Sequence, residues 1–242
     1  MSLFTVSSSM IETVLLDGDD TLWHNEPLFA EMTTRFLALL SLYHTSEWIQ
    51  ERLYETEVRN LRHYGYGIKS FVLSMIETAI ELTEGRIGGS EIDVVLEFGK
   101  EMLEAPVTLL DHAEEAVIRL ADSYRLLLVT KGDLFDQESK IARSGLADYF
   151  DAVEIVAEKS VSTYRAIASR NGIGFDTAVM VGDSLKSDIL PVAQVGGNAI
   201  HVPYGTTWEH EIVHEDILSA YEYQTVASMR EVPAMIDELA KA

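Results

Sequence analysis

Residues 13–21 read TVLLDGDDT. Four apolar residues, too few for a helix, run into an acid-glycine-acid turn, which is the pattern of a short buried strand that ends in polar chemistry. The same texture recurs along the chain. Residues 126–129 precede Thr130, 153–156 precede Glu158 and Lys159, and 178–181 precede Gly182 and Asp183. Residues 199–202 form a fifth run and 225–227 a weaker sixth. Helical patterns fall between or after these runs, at 111–121, 137–144, 160–171, 187–194 and 233–239. Strands that alternate with helices predict an α/β fold whose parallel sheet is covered on both faces.

A different texture runs from about residue 26 to residue 104. It holds no convincing strand and reads as amphipathic helices over 26–43, 46–64, 69–83 and 90–103. Glycines 65 and 67, then 85, 88 and 89, break the pattern, and Pro106 closes it. A helical insert therefore follows the first strand.

In open parallel sheets, ligands bind beyond the carboxyl ends of the strands. The polar residues that end the runs are Asp17, Asp19, Thr130, Lys159, Asp183 and Asp188. The topology is expected to gather them at one edge. Asp17 and Asp19, two apart on a chain leaving a strand, would repel unless a cation or a proton intervened. With Asp183 and Asp188 of GDSLKSD they make a hard oxygen set, which suits Mg²⁺ better than zinc. Thr130-Lys131-Gly132 offers a hydroxyl, free N–H groups and close backbone approach, the elements of a phosphate cradle. Lys159 supplies a fixed cation of the kind that a phosphoryl group needs.

DGDDT, a strand-terminal Thr130, Lys159 and GDSLKSD, in that order, resemble the four motifs of the haloacid dehalogenase superfamily. The resemblance spans about residues 10–202. It implies a Rossmann-like parallel core, formed by residues 1–22 and 107–242, and a helical, substrate-selecting cap formed by residues 23–106. It further implies Mg²⁺-dependent hydrolysis of small phosphate monoesters. Asp17 would be the nucleophile and form a transient aspartyl phosphate. Asp19 would protonate the leaving oxygen, then activate water, and would bind Mg²⁺ through its main-chain carbonyl. Thr130 and Lys159 would hold the phosphoryl group, Asp183 would ligate Mg²⁺ directly, and Asp188 would do so directly or through water. Thr21 would tighten the turn.

Some positions depart from the pattern. Asp20 stands where glycine is common, Lys131 where many relatives have asparagine, and no proline follows Lys159. Lys131 either adds charge over the phosphate or faces solvent. Lys140 is the second candidate for the motif lysine, although it lies inside a predicted helix. Residues 23–26 (WHNE) are expected to overhang the pocket, with His24 or Asn25 near the leaving group. Arg62, Tyr64 and Tyr66, in the turn RHYGYG, suit a sugar or nucleoside phosphate. Trp208 is read as a packing anchor.

Other readings are weighed against this one. Dehalogenases of the superfamily lack a carboxylate at the position of Asp19. A sugar-phosphate mutase shares the core motifs and differs by shielding its intermediate from water. Receiver-type signalling modules place the phosphorylated aspartate on a later strand than the acidic pair. A binding protein without turnover would have no need of Asp17, Asp19 and Asp183 together.

Composition narrows the partners. Lys and Arg number 18 and Asp and Glu 40, for a net charge of −22. So acidic a surface argues against nucleic acid and against anionic membranes, and points to a small phosphorylated metabolite drawn in by local cations. There is no cysteine, which excludes thiolate chemistry and fits a cytoplasmic setting. Residues 1–9 carry no basic region of a secretory signal and read as a frayed extension, with Met10 as an alternative start. Nothing in the sequence sets the oligomeric state.

Overall fold

A computed structural model describes residues 11–206 and 208–241; the expectations for residues 1–10 lie outside them. The strands are β1 (Thr13–Leu16), β2 (Arg125–Lys131), β3 (Ala152–Val156), β4 (Ala178–Gly182), β5 (Asn198–His201) and β6 (Gln224–Thr225). They form one sheet in the order β3-β2-β1-β4-β5-β6, and every pairing is parallel. The chain starts in the middle of the sheet and builds outward to both sides. The end of β1 is therefore flanked by β2 and β4, where the winding changes direction and a crevice opens.

The strand side chains alternate between two cores. Val14, Leu16, Leu126, Leu128, Val179 and Val181 pack on one face, with Ala116, Val117 and Ile236. Leu15, Leu127, Val129, Ala178 and Met180 pack on the other, with Tyr164 and Ile167. Burial on both faces explains why these strands read as unbroken apolar runs and not as alternating ones.

The insert comprises α1 (Glu26–Leu40), α2 (Ser46–Tyr64), α3 (Ile68–Leu82) and α4 (Gly89–Glu104). Its buried residues, among them Phe36, Leu40, Ile49, Leu53, Met75, Val95 and Phe98, form a third core of their own. Thr45 caps α2 by accepting a hydrogen bond from the Trp48 N–H, and Gly65 ends the helix with a positive φ. The first helix is capped from a distance. Asn25 makes no side-chain cap; instead Asp20 Oδ1 accepts from the N–H groups of Asn25 (2.9 Å) and Glu26 (3.0 Å). Asp20 sits at φ 58°, a left-handed conformation that Asp tolerates better than most residues. This explains an aspartate where glycine is common.

The core helices are α5 (Ala113–Ala121), α6 (Leu134–Arg143), α7 (Val161–Asn171), α8 (Leu190–Ala193), α9 (Glu215–Leu218) and α10 (Val232–Leu239). The helix expected over 187–194 is interrupted: a π turn, Leu185–Ile189, precedes the short α8. Pro191 has no N–H to return to the Ser187 carbonyl. Tyr164 Oη donates to that carbonyl instead, at 3.2 Å. The widened turn carries Asp188. No helix among the described residues is long and apolar enough to cross a membrane.

Candidate active site

Two glycines make the space in which the site is built. A Cβ on Gly18 would meet the Trp23 ring at 2.6 Å, so only glycine lets the loop after β1 fold over that indole. A Cβ on Gly182 would lie 2.3 Å from Asp188 Oδ2, so only glycine admits this carboxylate beside the end of β4. Trp23 does not overhang the pocket. It is 1% exposed, packed into the sheet core beneath the loop and bridged to Leu109, because an indole gains more from burial there than from covering polar groups.

The strand ends then bring distant residues together. Lys159 Nζ lies 2.5 Å from Asp17 Oδ1 and 2.6 Å from Asp188 Oδ1. All three are buried. Asp17, Asp183 and Asp188 each present a carboxylate oxygen within 4.8 Å of the others. Thr21 fastens the two loops: its hydroxyl donates to Asp183 Oδ1 at 3.2 Å and accepts from the Asp183 N–H at 3.0 Å. Ser184 N–H donates to Asp188 Oδ2 at 3.1 Å.

Three carboxylates face one ammonium here. Burial, then the proximity of Asp188, pushes Asp17 up to about 7 against the pull of Lys159. Asp183 is raised well above its ordinary value, first by burial and then by Asp17 and Asp188. Burial alone would lower Lys159, but Asp17 and Asp188 hold it above its ordinary value. The group is short of positive charge, and its donors are hard oxygens. Both features suit a divalent cation such as Mg²⁺.

Asp19 faces elsewhere. Its carboxylate accepts from Trp23 Nε1 (2.6 Å), Gln137 Nε2 (2.9 Å) and Lys140 Nζ (3.1 Å to both oxygens). Thr130, 1% exposed, donates to Gln137 Oε1 at 3.0 Å. The two candidate lysines thus divide: Lys159 serves Asp17, and Lys140 serves Asp19. Gln137 and Asp136 escaped the reading of the sequence, as did the pairing of Lys140 with Asp19. Their signal was the polar stripe at 136, 137 and 140, one to four residues apart on the buried face of an otherwise amphipathic helix.

The remaining candidates scatter. Lys131 does not reach into solvent. Its ammonium contacts Glu211 Oε1 (2.7 Å) and Ser187 Oγ (3.0 Å) and lies 4.0 Å from the centre of the Tyr66 ring. Glu211 also accepts from Ser184 and Ser187 hydroxyls, both at 2.6 Å, and these partners, led by Lys131, hold it down near 2 despite burial. Tyr66 donates to Glu158 Oε2 at 2.7 Å, and its ring meets Trp208 edge-on. Trp208 anchors this contact and packs at a tilt against His210. Asn25 accepts from Lys140 at 2.7 Å, and His24, exposed, shares a 2.7 Å hydrogen bond with Tyr204. Arg62 and Tyr64 lie apart, on a surface hollow shared with Arg59, His63 and Glu77. Tyr66, between the two positive-φ glycines of the turn, reaches Glu158 and Lys131, while Tyr64 ends α2 facing water.

A parallel sheet with an acidic cluster at its strand ends, and a helical insert directly after its first strand, defines the class as an α/β protein of the Rossmann-like kind with an inserted helical unit. The family model for haloacid dehalogenase-like hydrolases matches residues 11–196. The chain belongs to that family. In sequence it is 26% identical to human N-acylneuraminate-9-phosphatase, over 96% of each chain. It is 24% identical to glyceraldehyde 3-phosphate phosphatase of Methanopyrus kandleri, over 96% of this chain and 100% of that one. In structure it matches a haloacid dehalogenase-like family hydrolase from Xanthomonas campestris with a TM-score of 0.85 and 39% identity, over 96% and 93% of the two chains. An L-2-haloacid dehalogenase from Xanthobacter autotrophicus shares the fold, with a TM-score of 0.64 at 16% identity, over 94% and 99%. The protein is an enzyme of the family's phosphatase type.

Proposed function

We propose that the protein is a Mg²⁺-dependent phosphatase that hydrolyses small phosphate monoesters through an aspartyl phosphate on Asp17. The observation that carries this reading is the Asp17–Lys159–Asp188 contact beside Asp183, with the separate, donor-lined carboxylate of Asp19 two residues along the chain. Asp17 attacks phosphorus; a bond from its carboxylate oxygen to phosphorus forms as the bond to the ester oxygen breaks. Asp19, which enters this step protonated, gives that leaving oxygen its proton and becomes a carboxylate. Asp19 then takes a proton from water as the water oxygen bonds to phosphorus, and Asp17 is released with inorganic phosphate.

Lys159 orients Asp17 and offsets charge on the phosphoryl oxygens. Thr130 and Lys131 line the phosphate side of the pocket. Asp17, Asp183 and Asp188, with the main-chain carbonyl of Asp19, would hold Mg²⁺, which supplies charge neutralisation for an anionic substrate. A carboxylate at position 19 favours ester hydrolysis over dehalogenation.

In this reading residues 23–106 act as the cap, and Tyr66, with His24 and Asn25, stands nearest the leaving group. Arg62 and Tyr64 would join them only if the turn moved. Relatives named as phosphatases of N-acylneuraminate 9-phosphate and glyceraldehyde 3-phosphate support a small phosphorylated metabolite as substrate. The acidic surface supports neither nucleic acid nor membrane as a partner, and the cysteine-free chain supports a cytoplasmic setting.

The test is phosphate release from an aryl phosphate and a panel of metabolite phosphates, with Mg²⁺ and with chelator. The expected result is release that requires Mg²⁺ and is lost in Asp17→Asn and, on metabolite esters, in Asp19→Asn. Full activity in chelator, or in Asp17→Asn, contradicts the reading.

A further inference from the structure

Lys140 is buried on α6, with a side chain 8% exposed. Its ammonium has three protons and three partners: both oxygens of Asp19 at 3.1 Å, Asn25 Oδ1 at 2.7 Å and Asp136 Oδ2 at 3.3 Å. A purely structural ion pair would be complete with Asp136 alone, one helical turn away. The other two contacts leave the helix and reach the loop after β1 and the first residue before α1.

From the side of Asp19 the enclosure is as full. Oδ1 accepts from Trp23 and Lys140, and Oδ2 from Gln137 and Lys140. Donors on both oxygens fix the carboxylate's rotation as well as its position. Without the ammonium, only two neutral donors would hold a carboxylate beside Asp17, Asp20 and Asp136, whose charges repel it. Its direction, and so the point at which it meets a leaving oxygen, would no longer be set.

We propose that Lys140 is a positioning residue for proton transfer: it aims Asp19 at the leaving-group oxygen and ties that aim, through Asn25, to the start of the helical insert. This rests on the reading of Asp19 as the acid given above. It makes a prediction that a packing role does not. Protonation matters for an alkyl leaving group, which departs as a strong base, and hardly matters for dinitrophenolate, which departs unaided.

The experiment compares kcat/KM, which reports the steps through phosphoryl transfer, for dinitrophenyl phosphate and for the alkyl phosphate hydrolysed fastest by the wild type. Both are measured with Mg²⁺. Lys140→Met is expected to lose about a hundredfold on the alkyl ester, the scale of general acid catalysis, and less than about threefold on dinitrophenyl phosphate. Lys140→Arg, which keeps the charge, is expected to recover part of the alkyl activity. Because Lys140→Met strands the buried Asp136, the double variant Lys140→Met/Asp136→Asn is measured beside it and is expected to show the same split. Equal losses on both esters, or no loss on either, in the folded double variant overturn the proposal. Asp19→Asn separates the two layers: if it shows no leaving-group split, the role of Asp19 fails; if it shows the split and the Lys140 variants do not, only the role of Lys140 fails.

Discussion

The sheet end and the helical insert handle charge in opposite ways. At the sheet end Asp17, Lys159 and Asp188 are withdrawn from water, and burial among charges raises the pKa of Asp17 and of Lys159. In the insert the ion pairs lie outside the apolar core: Arg52 with Glu55 and Glu81, Arg59 with Glu77 and Glu81, Arg35 with Glu101, all with side chains 30–48% exposed. Burying charge costs stability and magnifies electrostatic interaction, whereas exposed pairs do little of either. The first arrangement suits chemistry, and the second suits a folded unit held together by its own apolar core.

The sharpest way to break this contrast is at the buried end. Asp17→Asn is expected to abolish phosphate release, a loss of about four orders of magnitude or more if the covalent route is the only one. Lys159→Met would leave Asp17 and Asp188 facing each other without a cation. Removing one partner of a buried pair costs about 3 kcal/mol or more, so metal-free Lys159→Met is expected to melt well below the wild type. Mg²⁺ is expected to restore more of that loss than it adds to the wild type. Equal Mg²⁺ shifts in the two proteins would contradict the shared cation site.

A smaller effect is expected where insert and core meet. Tyr66 crosses from the insert to Glu158, Lys131 and Trp208. Tyr66→Ala is expected to raise KM for a metabolite phosphate several-fold and to leave kcat/KM for an aryl phosphate nearly unchanged. Steady-state kinetics on both substrates checks this.

The insert also holds half-buried acids that lie beside other acids. Burial, then Glu26, pushes Glu57 up to about 8 from the ordinary 4.5, and burial, then Asp20, pushes Glu26 to about 7. A carboxyl with a raised folded pKa favours the folded state fully below its unfolded value and loses that contribution as pH rises through the folded one. The wild type is therefore expected to lose stability between about pH 5 and pH 8.5 from these groups. Glu57→Gln is expected to match the wild type at the lower pH and to melt higher at the upper, as scanned by thermal unfolding. At the far end of the scale, Lys69→Ala breaks an exposed link to Asp133. It is expected to cost less than about 1 kcal/mol.

The two regions also differ in how far the sequence discloses them. The central strands β1, β2 and β4 were legible because both faces of the sheet are buried there, so each stands out as an apolar run with an abrupt polar end. The four insert helices were legible from their periodicity. The convergence of Asp17, Thr130, Lys159 and Asp183 followed from topology. Side-chain direction did not. Trp23 reads like a pocket-lining aromatic, yet it lies under the loop because Gly18 leaves room for it. Lys140 reads only as a second candidate for the motif lysine until Asp19, 121 residues away in sequence, is placed against it. Arg62, Tyr64 and Tyr66 share one turn, and only its backbone geometry shows that Tyr66 alone reaches the core. The π turn at Leu185–Ile189 was hidden because its cause pairs Pro191 with a hydroxyl on another helix, Tyr164.

The central claim is that a phosphoryl group passes through Asp17. The direct measurement is acid quenching of Asp19→Asn after mixing with dinitrophenyl phosphate and Mg²⁺, followed by peptide mass spectrometry. Attack on this activated ester needs no acid, while release of the intermediate needs the base, so the intermediate should accumulate. The expected result is one phosphoryl group on the peptide that contains Asp17. A phosphoryl group on any other residue, or none while Asp17→Asn still turns over, would contradict it.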